Sequence, residues 1–440
     1  MSDALQIIRR PRLQQYQRLA AELRDVVQAG DVHAIGHWAE DWAERVERSR
    51  SSRLTKEGRR SIEQQARAFL RVWKRFPKPR KSWTSAQARL LLALGHNFAN
   101  WAAFTRHLRE LTRLKSPVSR FEAAAEAIAS GDAATLKRLL KADPKLIRAR
   151  STREHRSTLL HYVSANGIED FRQRTPKNIV AITKILLDAG AEVDAESEAY
   201  GGGSTALGLA ATSIHPEKAG VQIALLQTLL DHGASMASRS PAGNSTSLLV
   251  GCFANGQPAA AEYLARAGAP LDFESAAALG WLDKVKAYFA ANGALKSGVT
   301  KKKLASALLY ASGYGRREVV TFLLDHGASA GMRNHAHETP LHWANYAGHL
   351  DVIEMLLARG APIGVRDKTF SATPLDVALW TWENCPAKSP VRERVYQAIA
   401  LLVHAGAKFD VRQWADPETG RSRMQAKIEA DPRMKAALGL

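Results

Sequence analysis

Apolar residues recur three or four positions apart through the first quarter of the chain, which is the spacing of one face of a helix. Three such stripes comprise Leu13, Tyr16, Leu19, Leu23 and Val26, then Ile35, Trp38, Trp42 and Val46, then Ile62, Ala66, Phe69 and Trp73. A later stretch, SAQARLLLALGHNFANWAAFTRHLREL, reads as two helices around a turn near Gly95. The pattern predicts a helical region over residues 1–116.

From mid-chain onward, an apolar helix end followed by Gly-Ala occurs again and again. The phrases are KILLDAGAEVDA, QTLLDHGASMAS, EYLARAGAPLDF, TFLLDHGASAGM, EMLLARGAPIGV and ALLVHAGAKFDV. The glycine suits the left-handed position after a helix, where a side chain is disfavoured. The fullest unit runs from Glu338 to Asp367, where Thr339 caps a short helix and Gly348 separates it from a second one.

This pattern resembles the ankyrin repeat, a hairpin finger followed by an inner and an outer helix, at a period of about 33 residues. The resemblance covers roughly Phe121 to Trp414. It implies an all-α fold: an ankyrin repeat solenoid of about eight helix-turn-helix units preceded by a basic helical region. We expect a helical N-terminal region at 1–116, the array at 117–414, and a helical tail at 415–440.

The array is irregular in three places that bear on function. Repeats two and three gain residues between their inner and outer helices, at Asp170–Asn178 and Ile214–Gly220. We expect these two insertions to pack on each other as a polar rim, with a positive edge from Arg172, Arg174 and Lys177. The fifth unit, Asp272–Ala294, is too short to hold a finger hairpin, so we expect a weak junction there.

A repeat array binds through the variable residues of its finger tips and inner helices. The resemblance therefore implies a non-enzymatic scaffold that binds a protein partner through its concave face and its insertions. The predicted partner-binding residues are Arg333, His335, Ala336, Glu338 and Tyr346 in the fullest repeat, with Tyr162, Asn166, Arg172 and His215 near the insertions.

Positive charge is concentrated in the first quarter of the chain and suggests an alternative function. Residues 1–116 hold 24 Lys plus Arg against 11 Asp plus Glu, and Arg45–Lys81 alone holds 14 against three. Cations interleaved with aromatic rings are typical of nucleic-acid surfaces. The candidate nucleic-acid-binding residues are Arg71, Lys74, Arg75, Lys78, Arg80, Lys81 and Trp83. Phe69 and Trp73 lie on the apolar stripe and are predicted to be core.

No phosphate loop, dinucleotide fingerprint or paired-cysteine metal spacing occurs, so we predict no catalytic residue, metal or cofactor. An enzyme with a pocket beside the insertions of repeats two and three is the third hypothesis. Cys252 and Cys385 are too few for a disulfide framework. No apolar run is long enough for a membrane span, and the N-terminus has no apolar signal core, so we expect a cytoplasmic protein without a membrane partner.

Overall fold

The computed structural model describes residues 5–8, 11–50, 53–79, 82–237, 247–386, 388–410 and 423–440. Within these ranges the regular elements are helices, and pairing between extended residues is limited to isolated bridges. This agrees with the predicted all-α class. The chain divides into two compact units, Met1–Ala269 and Pro270–Leu440.

Five helices form the N-terminal part of the first unit: α1 (Leu13–Ala29), α2 (Val32–Arg50), α3 (Lys56–Arg75), α4 (Ser85–Gly95) and α5 (Trp101–Thr112). The apolar stripes meet in one core, and Phe69 and Trp73 are buried in it, which confirms their predicted place. Tyr16 packs edge-on against Phe104, and His96 stacks on the same phenyl ring. His96 Nδ1 also bonds the Leu5 carbonyl at 2.9 Å, which ties the start of the described chain to α4.

Repeat-like helix pairs make up the rest of the first unit. They are α6 (Pro117–Ser130), α7 (Ala133–Ala142), α8 (Ile179–Asp188), α9 (Ala206–Ala211), α10 (Ile214–Lys218), α11 (Gln222–Asp231), α12 (Leu248–Ala254) and α13 (Pro258–Arg266). The inner helix of the second repeat is a 3₁₀ segment, Leu159–Ser164, that packs between α6 and α9. A 3₁₀ helix, which is wound more tightly than an α-helix, is typical of short helical segments such as this one.

The second unit contains the helices α14 (Phe273–Leu279), α15 (Leu282–Lys286), α16 (Lys301–Gly313), α17 (Arg317–Asp325), α18 (Pro340–Ala347), α19 (Leu350–Ala358), α20 (Pro374–Asn384), α21 (Pro390–His404), α22 (Arg423–Glu429) and α23 (Pro432–Leu438). Each inner helix packs on the next, in the order α14, α16, α18, α20. One apolar core runs through them, and α22 and α23 add Met424 and Met434 to it.

The helix ends follow the local rules that the repeated phrase predicts. Gly327 and Gly360 have φ of 94° and 71°, and the other glycines of the phrase are also left-handed. Thr339 N–H donates to His342 Nδ1 at 3.1 Å, and the ring Nε2–H donates to the Ala372 carbonyl at 3.1 Å. That imidazole therefore joins one inner helix to the next finger. Burial lowers the pKa of His342, which favours the neutral ring that both bonds need.

The shortened fifth unit begins its inner helix almost at once. Asp272 caps α14 only four residues after Gly268, so no finger hairpin precedes that helix. The division between the two compact units falls at Ala269/Pro270, just before this cap. The predicted domain boundaries and the predicted weak junction both stay predictions.

Candidate functional site

Aromatic side chains line the inner helices of the second unit. Tyr310 of α16 meets Trp343 of α18 edge to face, with ring centroids 5.1 Å apart and planes at 86°. Tyr346, one turn further along α18, stacks on Trp380 of α20 with centroids 5.8 Å apart and planes at 18°. We call these four residues the aromatic row. Tyr346 and Trp380 are 59% and 45% exposed, respectively, so the row presents apolar surface to solvent.

A small residue on α16 makes this arrangement possible. A Cβ built on Gly313 would lie 2.8 Å from Trp343 Cε3, closer than real contacts allow. The indole therefore occupies space that any side chain at this position would take. Its Nε1–H donates to Glu338 Oε2 at 3.1 Å, which holds the ring orientation from the finger side.

Carboxylates surround one end of the aromatic row. Burial raises the pKa of Tyr310, and the negative charges of Glu274, Asp272 and Glu338 raise it further. Burial, with the neighbouring charge of Asp272, also raises the pKa of Glu274. Glu274 Oε2 is buried and has no hydrogen-bond partner among the described residues. This end of the row is acidic, although the chain as a whole carries a net charge of +19.

The partner-binding residues predicted in the fullest repeat all lie close to this surface in the chain. Arg333, His335 and Tyr346 are exposed, whereas Ala336 and Glu338 are half-buried. The Ala336 carbonyl accepts a hydrogen bond from Lys368 N–H of the next finger at 2.8 Å. Their binding role stays a prediction. Sequence reasoning missed Tyr310, Trp343 and Trp380 as members of the aromatic row.

The structure corrects two of the residues predicted beside the insertions. Tyr162 and Arg172 are 1% and 5% exposed, so neither can touch a partner directly. Asn166 is half-buried and donates to the Leu209 carbonyl and to Thr212 Oγ1. His215 is half-buried as well, and burial lowers its pKa. A binding role for Asn166 and His215 stays a prediction.

The first insertion packs on the preceding repeat. Asn178 Nδ2 donates to the Gly131 carbonyl at 2.8 Å, and Arg174 Nε donates to the Ala129 carbonyl at 3.1 Å. Both acceptors lie at the end of α6 or just after it, whereas we expected the second insertion, Ile214–Gly220, as the neighbour. Because Arg172 and Arg174 also pair with Glu126, the positive edge predicted for this rim is largely neutralised.

Arg172 belongs to a buried network of charges within the first unit. Glu122 Oε2 accepts from Arg172 at 2.9 Å and from Arg153 at 3.3 Å, and Arg153 Nε also donates to Glu169. The Arg153 guanidinium lies 5.3 Å from the Phe98 ring centre, and its Nη1 donates to the His96 carbonyl. The network therefore connects the N-terminal helices to the first two repeats.

The charges set the protonation of this network. Burial raises the pKa of Glu122, but Arg153 and Arg172 outweigh burial and lower that pKa to about 2. Burial lowers the pKa of His107, which faces Glu122, to about 4. The carboxylate is therefore ionised and the imidazole neutral at pH 7. Because its charges are already paired with one another, this network has a structural role: it joins the packed elements that contribute its side chains.

The basic stretch that suggested nucleic-acid binding is partly occupied within the protein. Arg71 pairs with Asp170 at 3.4 Å. Lys78 donates to the Trp73 carbonyl and lies over its ring, and Trp83 stacks on Phe76. Lys74 and Arg75 are exposed on α3. Arg80 and Lys81 lie outside the described residues.

A pocket in the first unit lies beside the charge network. It has a volume of about 650 Å³ and is lined by α6, by Ile7, Ile8 and Leu111, and by Arg153, Phe171 and Arg172. It is separate from the place predicted for a pocket, beside Asn166 and His215. In the described part of the chain, no group of His, Cys, Asp and Glu is arranged to hold a metal ion. No described helix is long and apolar enough to cross a membrane.

Comparison with known proteins agrees with the repeat geometry. A family model for ankyrin repeats, in three copies, matches residues 273–367. No curated protein sequence matches the chain. Similar solved structures include the human ASB11 ankyrin repeat domain, at 22% identity and a TM-score of 0.33, covering 62% of this chain and 96% of that one. The ankyrin repeat domain of Bcl-3, a member of the IkappaB family, is 19% identical with a TM-score of 0.30, covering 62% and 97%. The family match therefore identifies residues 273–367 as a stretch of ankyrin repeats.

Proposed function

We propose that this chain is a non-enzymatic scaffold that binds a partner protein through the inner helices of its second unit. The aromatic row is the observation that carries this proposal. Tyrosine and tryptophan side chains contribute much of the binding energy at protein interfaces, and Tyr346 and Trp380 of this row are exposed. The row extends over α16, α18 and α20, the elements that a repeat array uses for recognition.

The rings are also held ready for binding. Trp343 is fixed by Gly313 behind it and by Glu338 at its Nε1, and Tyr346 is stacked on Trp380. Side chains that are ordered before binding lose little conformational entropy when a partner arrives.

Cys252 and Cys385 are free thiols, so a cytoplasmic location, where thiols stay reduced, is part of the proposal.

Site-specific photo-crosslinking tests the proposal. A photoreactive phenylalanine derivative replaces Tyr346 in the full chain, and a matched control carries it at Glu354, an exposed position on the outer helix α19. We expect a discrete crosslinked protein from the Tyr346 position, lost when Trp380→Ala is added. Equal crosslinking from both positions, or none from Tyr346, would contradict the proposal.

A second candidate function, nucleic-acid binding through α3, is favoured by one observation. Arg60, Arg67, Lys74 and Arg75 are exposed along α3, opposite its buried apolar stripe. Such a cationic helix face suits phosphates, and binding to it would weaken steeply with salt. The test is a gel-shift titration at two salt concentrations with a quadruple charge-reversed variant of these residues. Affinity that is absent at low salt, or equal in the variant, would remove this candidate.

A further inference from the structure

Resting on the proposed function, we propose a partner class: an extended segment in which an arginine enters the acidic end of the aromatic row and a nearby apolar side chain covers Tyr346 and Trp380. The two ends of the row differ in chemistry, and each end favours a different side chain.

Tyr310 and Trp343 form two walls of a corner, since their ring planes stand at 86°. A guanidinium is planar and is attracted to the face of an aromatic ring, and it stacks better than a lysine ammonium. It also carries several N–H donors in a fixed fork. A corner of two rings with carboxylates beside it therefore matches arginine more closely than any other side chain.

The carboxylates supply the charge complement. Glu338 Oε2 lies at the indole of Trp343, and Glu274 places an ionisable oxygen without a hydrogen-bond partner near Tyr310. Lys303 is a neighbouring cation, and its positive charge acts to lower the pKa of Glu274. Because Glu274 Oε2 is buried, it attracts a guanidinium through its charge and not through a direct hydrogen bond, whereas the carboxylate of the half-buried Glu338 is the one that a guanidinium can approach. An acidic side chain in the same corner would be repelled.

The charge of the whole chain makes this preference specific. With a net charge of +19, the protein repels basic ligands at long range, so a basic segment would be held only by a local acidic site. An acidic ligand would instead be drawn to basic surfaces such as α3. Binding that depends on an arginine and on Glu338 would therefore report the corner itself.

The other end of the row defines the rest of the segment. Tyr346 and Trp380 stack nearly parallel, at 18°, and offer a flat apolar platform. Neighbouring helices pack roughly 8 to 10 Å apart, so the step from the corner to the platform equals about three extended residues. The segment would thus carry an apolar residue about three positions from its arginine.

The experiment uses the full chain and fluorescent peptides of about eight residues, long enough to span the row. The reference peptide has one arginine and a leucine about three positions later. Two matched peptides carry citrulline, which has a similar shape without the charge, or glutamate in place of the arginine. Fluorescence anisotropy measures affinity. We expect the arginine peptide to bind roughly tenfold more tightly than the citrulline peptide, and the glutamate peptide to bind weakest.

Three variants locate the binding. Glu338→Gln keeps an acceptor for Trp343 but removes the charge, and Glu274→Gln removes the second charge. Each should weaken arginine-peptide binding about threefold, whereas Glu354→Gln, the same change on the outer helix, should leave it unchanged. Equal affinity of the arginine and citrulline peptides overturns the inference, as does an equal loss in all three variants. If crosslinking at Tyr346 still captures a partner in that case, the scaffold function stands and only the partner class fails.

Discussion

Replacing Arg153 with methionine should destabilise the first unit severely. The guanidinium is 1% exposed and bonds both Glu122 and Glu169. Arg153→Met keeps much of the apolar bulk but leaves two buried carboxylates against Arg172. Removing one partner of a buried ion pair typically costs about 3–5 kcal/mol, because an uncompensated charge stays behind. A loss of about 4 kcal/mol is roughly a thousandfold change in the unfolding equilibrium.

The matched control is Arg148→Met. Arg148 pairs with Glu192 at 3.7 Å, and both side chains are more than 60% exposed. An exposed pair of this kind contributes about 0–1 kcal/mol. The comparison therefore separates the effect of removing a buried charge from the effect of removing an exposed arginine nearby in the chain.

Hydrogen exchange followed by mass spectrometry is the suitable assay, because it reports opening of α4–α7 without assuming that the whole chain unfolds in one step. We expect faster exchange in those helices for Arg153→Met and little change for Arg148→Met. Adding Glu169→Gln to Arg153→Met should restore part of the protection, since it removes one stranded charge. Equal exchange in the two single variants would refute the argument that the network stabilises this unit.

Acid should destabilise the first unit, because burial lowers the pKa values of His107 and His161 to about 4, and the stability that their neutral rings contribute is present above about pH 6.5 and is lost as the pH falls toward 4. The stability contributed by the ionised Glu122 is lost between about pH 4.5 and 2. A thermal melting temperature that is unchanged from pH 7 to 4.5 would contradict this prediction. Gly313→Ala should displace Trp343, shift the tryptophan fluorescence and cost roughly 1–3 kcal/mol in urea unfolding, whereas an unchanged spectrum would show that the indole does not need this space. Chemical unfolding should proceed in two transitions that separate at the start of the shortened fifth unit, and uniform hydrogen-exchange protection across 270–294 with a single melting transition would argue against a weak junction there.

Some features of the candidate site were readable from the repeat register. Tyr310 and Trp343 each stand five residues before the glycine that ends their inner helix, Gly315 and Gly348. Equivalent positions in successive repeats lie side by side once the repeats stack. Aligning the units by that glycine would have placed these two rings together. Their edge-to-face angle and the carboxylates around them depend on side-chain packing and needed the structure.

The sequence by itself determined the repeat architecture and the places where each helix ends. Those features depend on residues that are neighbours in the chain: a threonine or aspartate caps a helix start, and a left-handed glycine follows a helix end. The helical spacing of Phe69 and Trp73 likewise identified them as core, because periodicity shows which face of a helix is apolar.

Only the tertiary structure decided which charged residues are interior. Arg172 reads as an exposed cation in a polar insertion, yet it is buried, because its partner Glu122 comes from a helix fifty residues earlier in the chain. Local pattern carries no information on such pairing, since burial of a charge is set by partners brought together through folding. For the same reason the stack of Tyr346 on Trp380, from different repeats, became visible only when the helices were packed.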